Sequence, residues 1–224
     1  MAMKLGILFS GGKDSTYAAY LAKKAGNEIK CLISLYSENK ESYMFHTPAI
    51  ELTKKQAEVM DLPLLTFKTK GEKEKELIDL EKAIKEAVKK YKIDGIVTGA
   101  LASVYQASRI QKICDELKIK CFNPLWRKDQ IKLLEELIEN KFEVVIVGVF
   151  AYPLSEKWIG RKIDKKFIDE VKILQDRYKI NPAGEGGEFE SFVLNCPLFK
   201  KGLKVKRITV HGEKNSWRAL VGLG

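Results

Sequence analysis

The hexapeptide Ser10-Gly11-Gly12-Lys13-Asp14-Ser15 is the part of the chain whose residue types and order most directly specify chemistry. It separates an apolar run, Lys4–Phe9, from a stretch of helical periodicity, Ser15–Ala25, in which Tyr17, Ala18, Leu21 and Ala25 share one face. A turn at that junction exposes the free N–H groups and the positive dipole end of the helix, and both favour a polyphosphate. Gly11 and Gly12 let the backbone come close without a Cβ. Ser10 and Ser15 add hydroxyls, and Lys13 adds positive charge. Asp14 is a poor neighbour for bare phosphate, so its carboxylate implies a divalent cation, Mg²⁺, between the two. Two other phosphate loops do not fit. A Walker A loop needs its first glycine where Ile7 stands and a Ser or Thr where Asp14 follows Lys13, and the dinucleotide pattern GxGxxG is absent.

Such a loop needs a strand before it and a helix after it, and the flanking pattern supplies both repeatedly. Strands are expected at Lys4–Phe9, Ile29–Leu35, Leu62–Phe67 and Gly95–Thr98. They are separated by helices at Ser15–Ala25, from the Thr47-Pro48 cap to Met60, and at Glu72–Tyr91, whose Leu77, Leu80, Ile84, Ala87, Val88 and Tyr91 recur at spacings of three and four. This alternation predicts an α/β fold, a doubly wound parallel sheet wrapped by helices. Further on the pattern is less regular: helices at Ser108–Leu117, Gln130–Asn140 and Asp164–Tyr178, strands at Lys120–Phe122, Glu143–Phe150, Phe192–Leu194, Lys204–Val210 and Trp217–Val221, and a glycine-rich acidic loop at Ala183–Glu190. The change of pattern near Gly99–Ser103 divides the chain into a nucleotide-binding domain, residues 1–100, and a smaller α/β substrate-binding domain, residues 101–224.

Composition narrows the function classes. With 45% apolar and 31% charged residues the chain is globular rather than disordered. No apolar run reaches the roughly 18–20 residues of a membrane span, and the N-terminus lacks a secretory pattern, so a cytoplasmic location without membrane contact is expected. The net charge of +10 invites nucleic acid, yet six of the 40 basic residues are arginine and the lysines alternate with glutamate, as in Gly71–Lys90. That pattern marks solvated, ion-paired helix faces and disfavours a nucleic-acid partner. Cys31, Cys114, Cys121 and Cys196 form no CxxC pair, which fits reduced interior thiols.

The loop resembles the SGGxDS PP-loop of the ATP pyrophosphatase superfamily, whose members adenylate a substrate oxygen, release pyrophosphate and let a nucleophile displace AMP. That resemblance covers about the first 100 residues and implies ATP at the carboxyl ends of the strands. Four further stretches, Glu41–Pro48, Gly99–Arg109, Pro124-Leu125-Trp126 and Gly184–Ser191, are similar to the diphthine–ammonia ligase family. The longer eukaryotic members of that family carry C-terminal domains that this chain lacks. The resemblance implies ATP-dependent joining of ammonium to diphthine, a modified histidine of translation elongation factor 2, through an acyl-adenylate, with AMP and pyrophosphate as products. A homodimer is compatible with it.

The residues suit that chemistry. Diphthine presents a carboxylate beside a trimethylammonium cation, which needs anionic and aromatic partners. Glu185, Glu188 and Glu190, with Phe189, Tyr105 and Trp126, offer both, and the glutamates also suit ammonium and its proton. Lys13, Asp14, Glu185 and Glu188 are thus the expected catalytic groups, with Asp14 the metal ligand. Arg109 suits a bidentate contact to carboxylate or phosphate and Gln106 a neighbouring contact. His46, Tyr36, Ser37 and Gly99 are expected at the nucleotide, His46 with a structural role equally open. Two alternatives remain: a tRNA-modifying PP-loop enzyme of the lysidine synthetase or thiolase type, the latter needing a cysteine pair brought together by folding, and a non-catalytic adenine-nucleotide sensor.

Overall fold

The computed structural model describes residues 2–37, 52–70 and 75–224. Strands β1 (Lys4–Leu8), β2 (Glu28–Ser37), β3 (Leu64–Thr69), β4 (Gly95–Val97) and β5 (Lys120–Phe122) form a parallel sheet in the order β3-β2-β1-β4-β5. Strands covered on both faces must be apolar throughout rather than alternating. Accordingly Leu5 and Ile7 point to one side, towards α1 (Lys13–Lys24) and α2 (Thr53–Met60). Ile33 and Ile96 point to the other, towards α3 (Lys75–Tyr91) and α4 (Val104–Glu116). The chain thus winds outward in both directions from β1. The strand order reverses between β1 and β4, and a crevice opens there beyond their carboxyl ends.

The parallel sheet continues past Gly99–Ser103: α4 packs on it and β5 is its edge strand. α4 begins at Val104, four residues before the periodicity suggests, because Ser103 caps it by accepting from the Gln106 N–H at 3.3 Å. The second unit begins after Phe122 with α5 (Gln130–Glu139), β6 (Glu143–Val149), a 3₁₀ turn at Glu156–Trp158, α6 (Lys165–Tyr178), β7 (Phe189–Asn195), β8 (Val205–Glu213) and β9 (Ser216–Leu223). Its sheet runs β7-β6-β9-β8 with every pair antiparallel. One apolar cluster joins Leu5, Ile7 and Tyr17 of the first unit to Phe142, Val144, Phe189 and Val193 of the second, so the two share a core.

A polar clamp fixes the helix that carries the phosphate-type loop. The Tyr17 hydroxyl donates to Glu136 Oε2 at 2.7 Å, Lys128 Nζ meets Glu136 Oε1 at 2.8 Å, and Phe142 packs edge-on against Tyr17. Burial pushes the Glu136 carboxyl up, but the hydrogen bonds from Lys128 and Tyr17 outweigh it and hold the group below the usual range. Because the folded state prefers the ionised form, the clamp contributes above the ordinary carboxylate pKa and is lost as pH falls through the depressed value. Glu136→Gln is expected to lower unfolding free energy at neutral pH by about 1–3 kcal/mol and to flatten the acid limb of the stability–pH curve. Denaturant titrations at pH 7 and along that limb check this, and an unchanged limb would contradict the clamp.

Candidate active site

β1 ends at Leu8 and the chain turns at once into α1. Gly11 adopts φ +79°, and a Cβ there would overlap Gln56 Oε1, so the turn requires glycine. The loop is pinned from the second unit: Val193 N donates to Gly11 O at 3.1 Å and Lys13 N to Ser191 Oγ at 3.2 Å. Gln56 Nε2 binds both Gly11 O (2.9 Å) and Val193 O (2.8 Å). Inside the loop, Ser15 Oγ accepts from Ser10 N and lies 3.1 Å from Ser10 Oγ. A helix N-terminus held this way presents N–H groups without intrahelical partners and suits an anion.

A cavity of about 240 Å³ lies beyond the ends of β1 and β4. Ser10, Asp14, Ser15, Gly99, Gln106 and Glu185 supply its polar lining, and Leu8, Phe9, Ile33, Leu35 and Ile110 an apolar wall on the α4 side. Gly99 makes this closeness possible: a Cβ there would come within 2.7 Å of Ser15 N and 2.8 Å of the Asp14 carbonyl carbon. Lys13 is buried, its ammonium 2.8 Å from Asp14 Oδ2 and 5.5 Å from the centre of the Phe189 ring. Asp14 Oδ1 is buried and has no hydrogen-bond partner among the described residues. An unsatisfied carboxylate oxygen beside an anion site fits Mg²⁺, which is commonly held by one or two carboxylates together with substrate phosphates. No group of three metal-ligating side chains occurs among the described residues, so Asp14 would hold the ion largely through the phosphates and water.

Glu185 reaches this cavity from the acidic loop and accepts from Ala102 N at 2.9 Å. Desolvation, followed by the negative charge of Asp14, raises its pKa, against the hydrogen bond from Ala102. Glu188, expected to act beside it, faces inward. Asn181 N and Nδ2 and Gly186 N donate to its two oxygens, each at 2.8 Å. It therefore shapes the loop that presents Glu185. Phe189 is also interior, edge-on to Phe167 at 5.7 Å. Glu190 lies beyond the loop, in β7, with Arg218 nearby, and burial pushes its carboxyl up to about 8.

The other expected residues divide. Gly99 and Gln106 line the cavity, whereas Arg109 stacks its guanidinium on the Tyr105 ring at 3.5 Å, occupying one aromatic face with a cation. Trp126 lines a separate open depression of about 450 Å³ with Val104 and Asn123. Tyr36 and Ser37 end β2 at the cavity's side of the sheet, and His46 lies outside the described residues. Sequence reasoning did not single out Ser191, Gln56 or the Ile33–Leu35 wall. β-strand alternation marks Ile33 and Leu35 as one face, but no local signal shows that β7 and α2 come back to the loop.

A phosphate-type loop at the reversal point of a doubly wound sheet, with a free carboxylate oxygen beside it, defines a nucleotide-binding protein of the PP-loop class. Residues 3–121 match the Diphthamide synthase N-terminal domain and residues 129–223 the Diphthamide synthase C-terminal domain. The chain therefore belongs to the diphthamide synthase family, a family of ATP-dependent ligases. It is 32% identical to a Schizosaccharomyces pombe diphthine–ammonia ligase over 94% of its length, which spans 38% of that protein. It is 33% identical to a Bos taurus diphthine–ammonia ligase, covering 91% of this chain and 83% of that protein. A Helicobacter pylori tRNA-specific 2-thiouridylase is 34% identical over 38% of this chain and 21% of its own length.

The closeness of Gly99 to α1 gives a test. Gly99→Ala forces the end of β4 away from Ser15 N and Asp14, and ATP affinity is expected to fall by at least about tenfold, or 1.4 kcal/mol, with the far-ultraviolet circular dichroism retained. Equal affinity by calorimetry would show that this approach does not shape the site.

Proposed function

We propose that the chain is a diphthine–ammonia ligase that converts diphthine on translation elongation factor 2 to diphthamide, consuming ATP and ammonium. The observation that carries this reading is the convergence of Asp14, from the loop, and Glu185, from the acidic segment, on one cavity at the carboxyl ends of β1 and β4. A phosphate site and a desolvated acid beside it are what an adenylation followed by attack of a nitrogen nucleophile requires.

On this reading the triphosphate lies against the N-terminus of α1 and the adenine against Ile33, Leu35 and Ile110. The diphthine carboxylate attacks the α-phosphorus, the bond to pyrophosphate breaks, and an acyl-adenylate forms. Mg²⁺, held by Asp14 together with phosphate oxygens, would supply positive charge to the departing pyrophosphate. Glu185, kept at a raised pKa, takes a proton from ammonium; ammonia then attacks the acyl carbon, AMP leaves with the electron pair of its bond, and the new amide nitrogen releases its extra proton to solvent. The open depression at Trp126, across the first turn of α4, suits the trimethylammonium cation, whereas Tyr105 is already paired with Arg109.

The direct test combines purified chain, ATP, ammonium and diphthine-bearing factor, with AMP, pyrophosphate and amide measured together. Equal amounts of all three are expected. ADP as product would overturn the reading, and so would a stimulation of AMP release by tRNA in place of the protein factor. Asp14→Asn is expected to reduce turnover by about 10²-fold or more, as loss of a charge-stabilising group does, and near wild-type turnover would contradict its role. Glu185→Gln is expected to raise the KM for ammonium. Since Glu185 must be ionised to accept a proton, wild-type activity falls as pH drops through its raised pKa, and the Gln variant should lose that limb. A variant that keeps the limb would remove Glu185 from proton transfer.

A further inference from the structure

The positive charge of the chain is not spread evenly. Residues 200–224 hold seven lysines and arginines against one acid, Glu213, so six of the ten net positive charges fall there. Elsewhere lysines meet carboxylates: Lys82 meets Asp79 at 3.3 Å, Lys162 meets Glu143 at 3.4 Å and Lys172 meets Glu135 at 3.1 Å. Lys200 is held in the same way by Asp61 at 2.6 Å. Lys201, Lys204, Lys206, Arg207 and Lys214 are exposed, and none of them has a carboxylate partner among the described residues. These charges lie on or beside the β8–β9 hairpin, whose two faces differ. Val205, Ile208, Val221 and Leu223 turn inward onto the cluster that contains Val147, Phe192 and Ala219. The register shift between Val205 and Arg207 sends Arg207 to the outer face, which it shares with Thr209, His211 and Leu220, because cross-strand partners point the same way. Leu220 is 62% exposed, pairs with Thr209 and stands diagonally between Arg207 and His211.

The near end of this hairpin adjoins the site. Gly148 and Val149 of β6 pair with Arg218 and Trp217 on one side and with Glu190 and Phe189 on the other. Two strand spacings, about 10 Å, therefore separate the hairpin from the end of the acidic segment that carries Glu185. We propose that the outer face of the β8–β9 hairpin docks an acidic surface of the protein substrate, with Leu220 as the apolar contact and Lys204, Lys206 and Arg207 as the counter-charges. The inference rests on the ligase reading above and adds where the protein seats. Unpaired like charges on neighbouring strands repel one another, and a partner that brings carboxylates relieves the repulsion. Charges at the rim of an interface chiefly speed encounter and fix orientation, while burial of Leu220 adds apolar contact. A second copy of the chain does not fit this face, since it would set Arg207 and the lysines against their own kind. Nucleic acid fits less well than protein. The unpaired cations are mostly lysine rather than the arginine fork that grips phosphate. The hairpin strands contain no Tyr or Phe, and their one tryptophan, Trp217, packs against the inner apolar cluster, so no such ring is offered for base stacking.

The experiment measures amide formation and ATP affinity separately on the full chain. Lys206→Glu combined with Arg207→Glu is expected to raise the KM for the diphthine-bearing factor at least about tenfold, with kcat and calorimetric ATP affinity retained. Added salt should raise the wild-type KM and change that of the variant much less. Leu220→Asp should raise the KM in the same way. Lys82→Glu combined with Lys172→Glu makes the same change in net charge on paired lysines elsewhere, and is expected to leave the KM unchanged. An unchanged KM in the hairpin variant overturns the docking face, and so does an equal rise in the paired-lysine control, which would assign the effect to net charge. A fall in kcat or ATP affinity with the KM unchanged overturns it too, by assigning the hairpin to the structure of the site. Fluorescence anisotropy with labelled tRNA covers the other class of partner: binding that the hairpin variant loses, with the KM for the factor unchanged, would make the face a nucleic-acid surface. Wild-type chain that binds the factor yet forms no amide would refute the ligase reading instead, and the same variants then test docking through the dissociation constant of the factor.

Discussion

The attachment of the phosphate-type loop to β7 is the interaction on which the rest of the site depends. Gly11 O accepts from Val193 N, Lys13 N donates to Ser191 Oγ, and Gln56 bridges Gly11 O and Val193 O from α2. A glycine pair leaves the backbone many conformations in the unfolded chain, and a bare turn would sample several of them. Three hydrogen bonds to the loop from two distant segments, themselves tied together by Gln56 Nε2 to Val193 O, select one. The N–H groups of α1 are thereby aimed before any ligand arrives, which lowers the ordering cost of binding.

The same attachment explains why the two halves share one apolar core. β7 contributes Phe189 and Val193 to the cluster that contains Ile7 and Tyr17, and the alternate residue, Ser191, turns its hydroxyl to the loop. Just before β7, Gly186 N and Asn181 turn the acidic segment around Glu188, whose three hydrogen bonds hold the loop that carries Glu185. Phosphate site and acid are therefore positioned by one continuous strand-and-loop segment, so movement of β7 would disturb both together. The two carboxylates of the acidic segment differ in their surroundings: Glu188 is buried and accepts three hydrogen bonds from its own loop, while Glu185 is half-buried, faces Asp14 and is the group the proposed mechanism assigns to proton transfer.

Much of this was legible in the residues. The apolar runs at Leu5–Leu8 and Ile29–Leu35 and the long periodicity through Leu80, Ile84 and Ala87 gave the wound sheet directly, because parallel strands buried on both faces and amphipathic helices have distinct periods. The loop's chemistry was legible because it is local in sequence. What escaped was non-local. Nothing in the spacing of Phe189 distinguishes a core ring from a substrate-facing one; the fold packs it edge-on against Phe167. Glu188 and Glu185 look alike as neighbours across two glycines, and the inward turn of one depends on Asn181. Tyr105 and Arg109, four apart on a helix, were read as two substrate contacts, while that spacing is also the one at which side chains stack on each other. The alternation loosens at Gly99–Ser103, and although Lys120–Phe122 reads as a strand, three residues carry no local signal of which sheet they join, so its place as the edge of the parallel sheet is not legible in the sequence.

The central claim is that the N-terminus of α1, held by β7, receives the triphosphate. A crystal soaked with an ATP analogue whose α–β bridge resists cleavage tests it most directly. The account predicts phosphate oxygens within hydrogen-bond distance of the N–H groups of Asp14 and Ser15, the base against Ile33 and Leu35, and a cation on the free oxygen of Asp14. Phosphates seated away from this helix end, with the loop and its bonds to β7 unchanged, would contradict it.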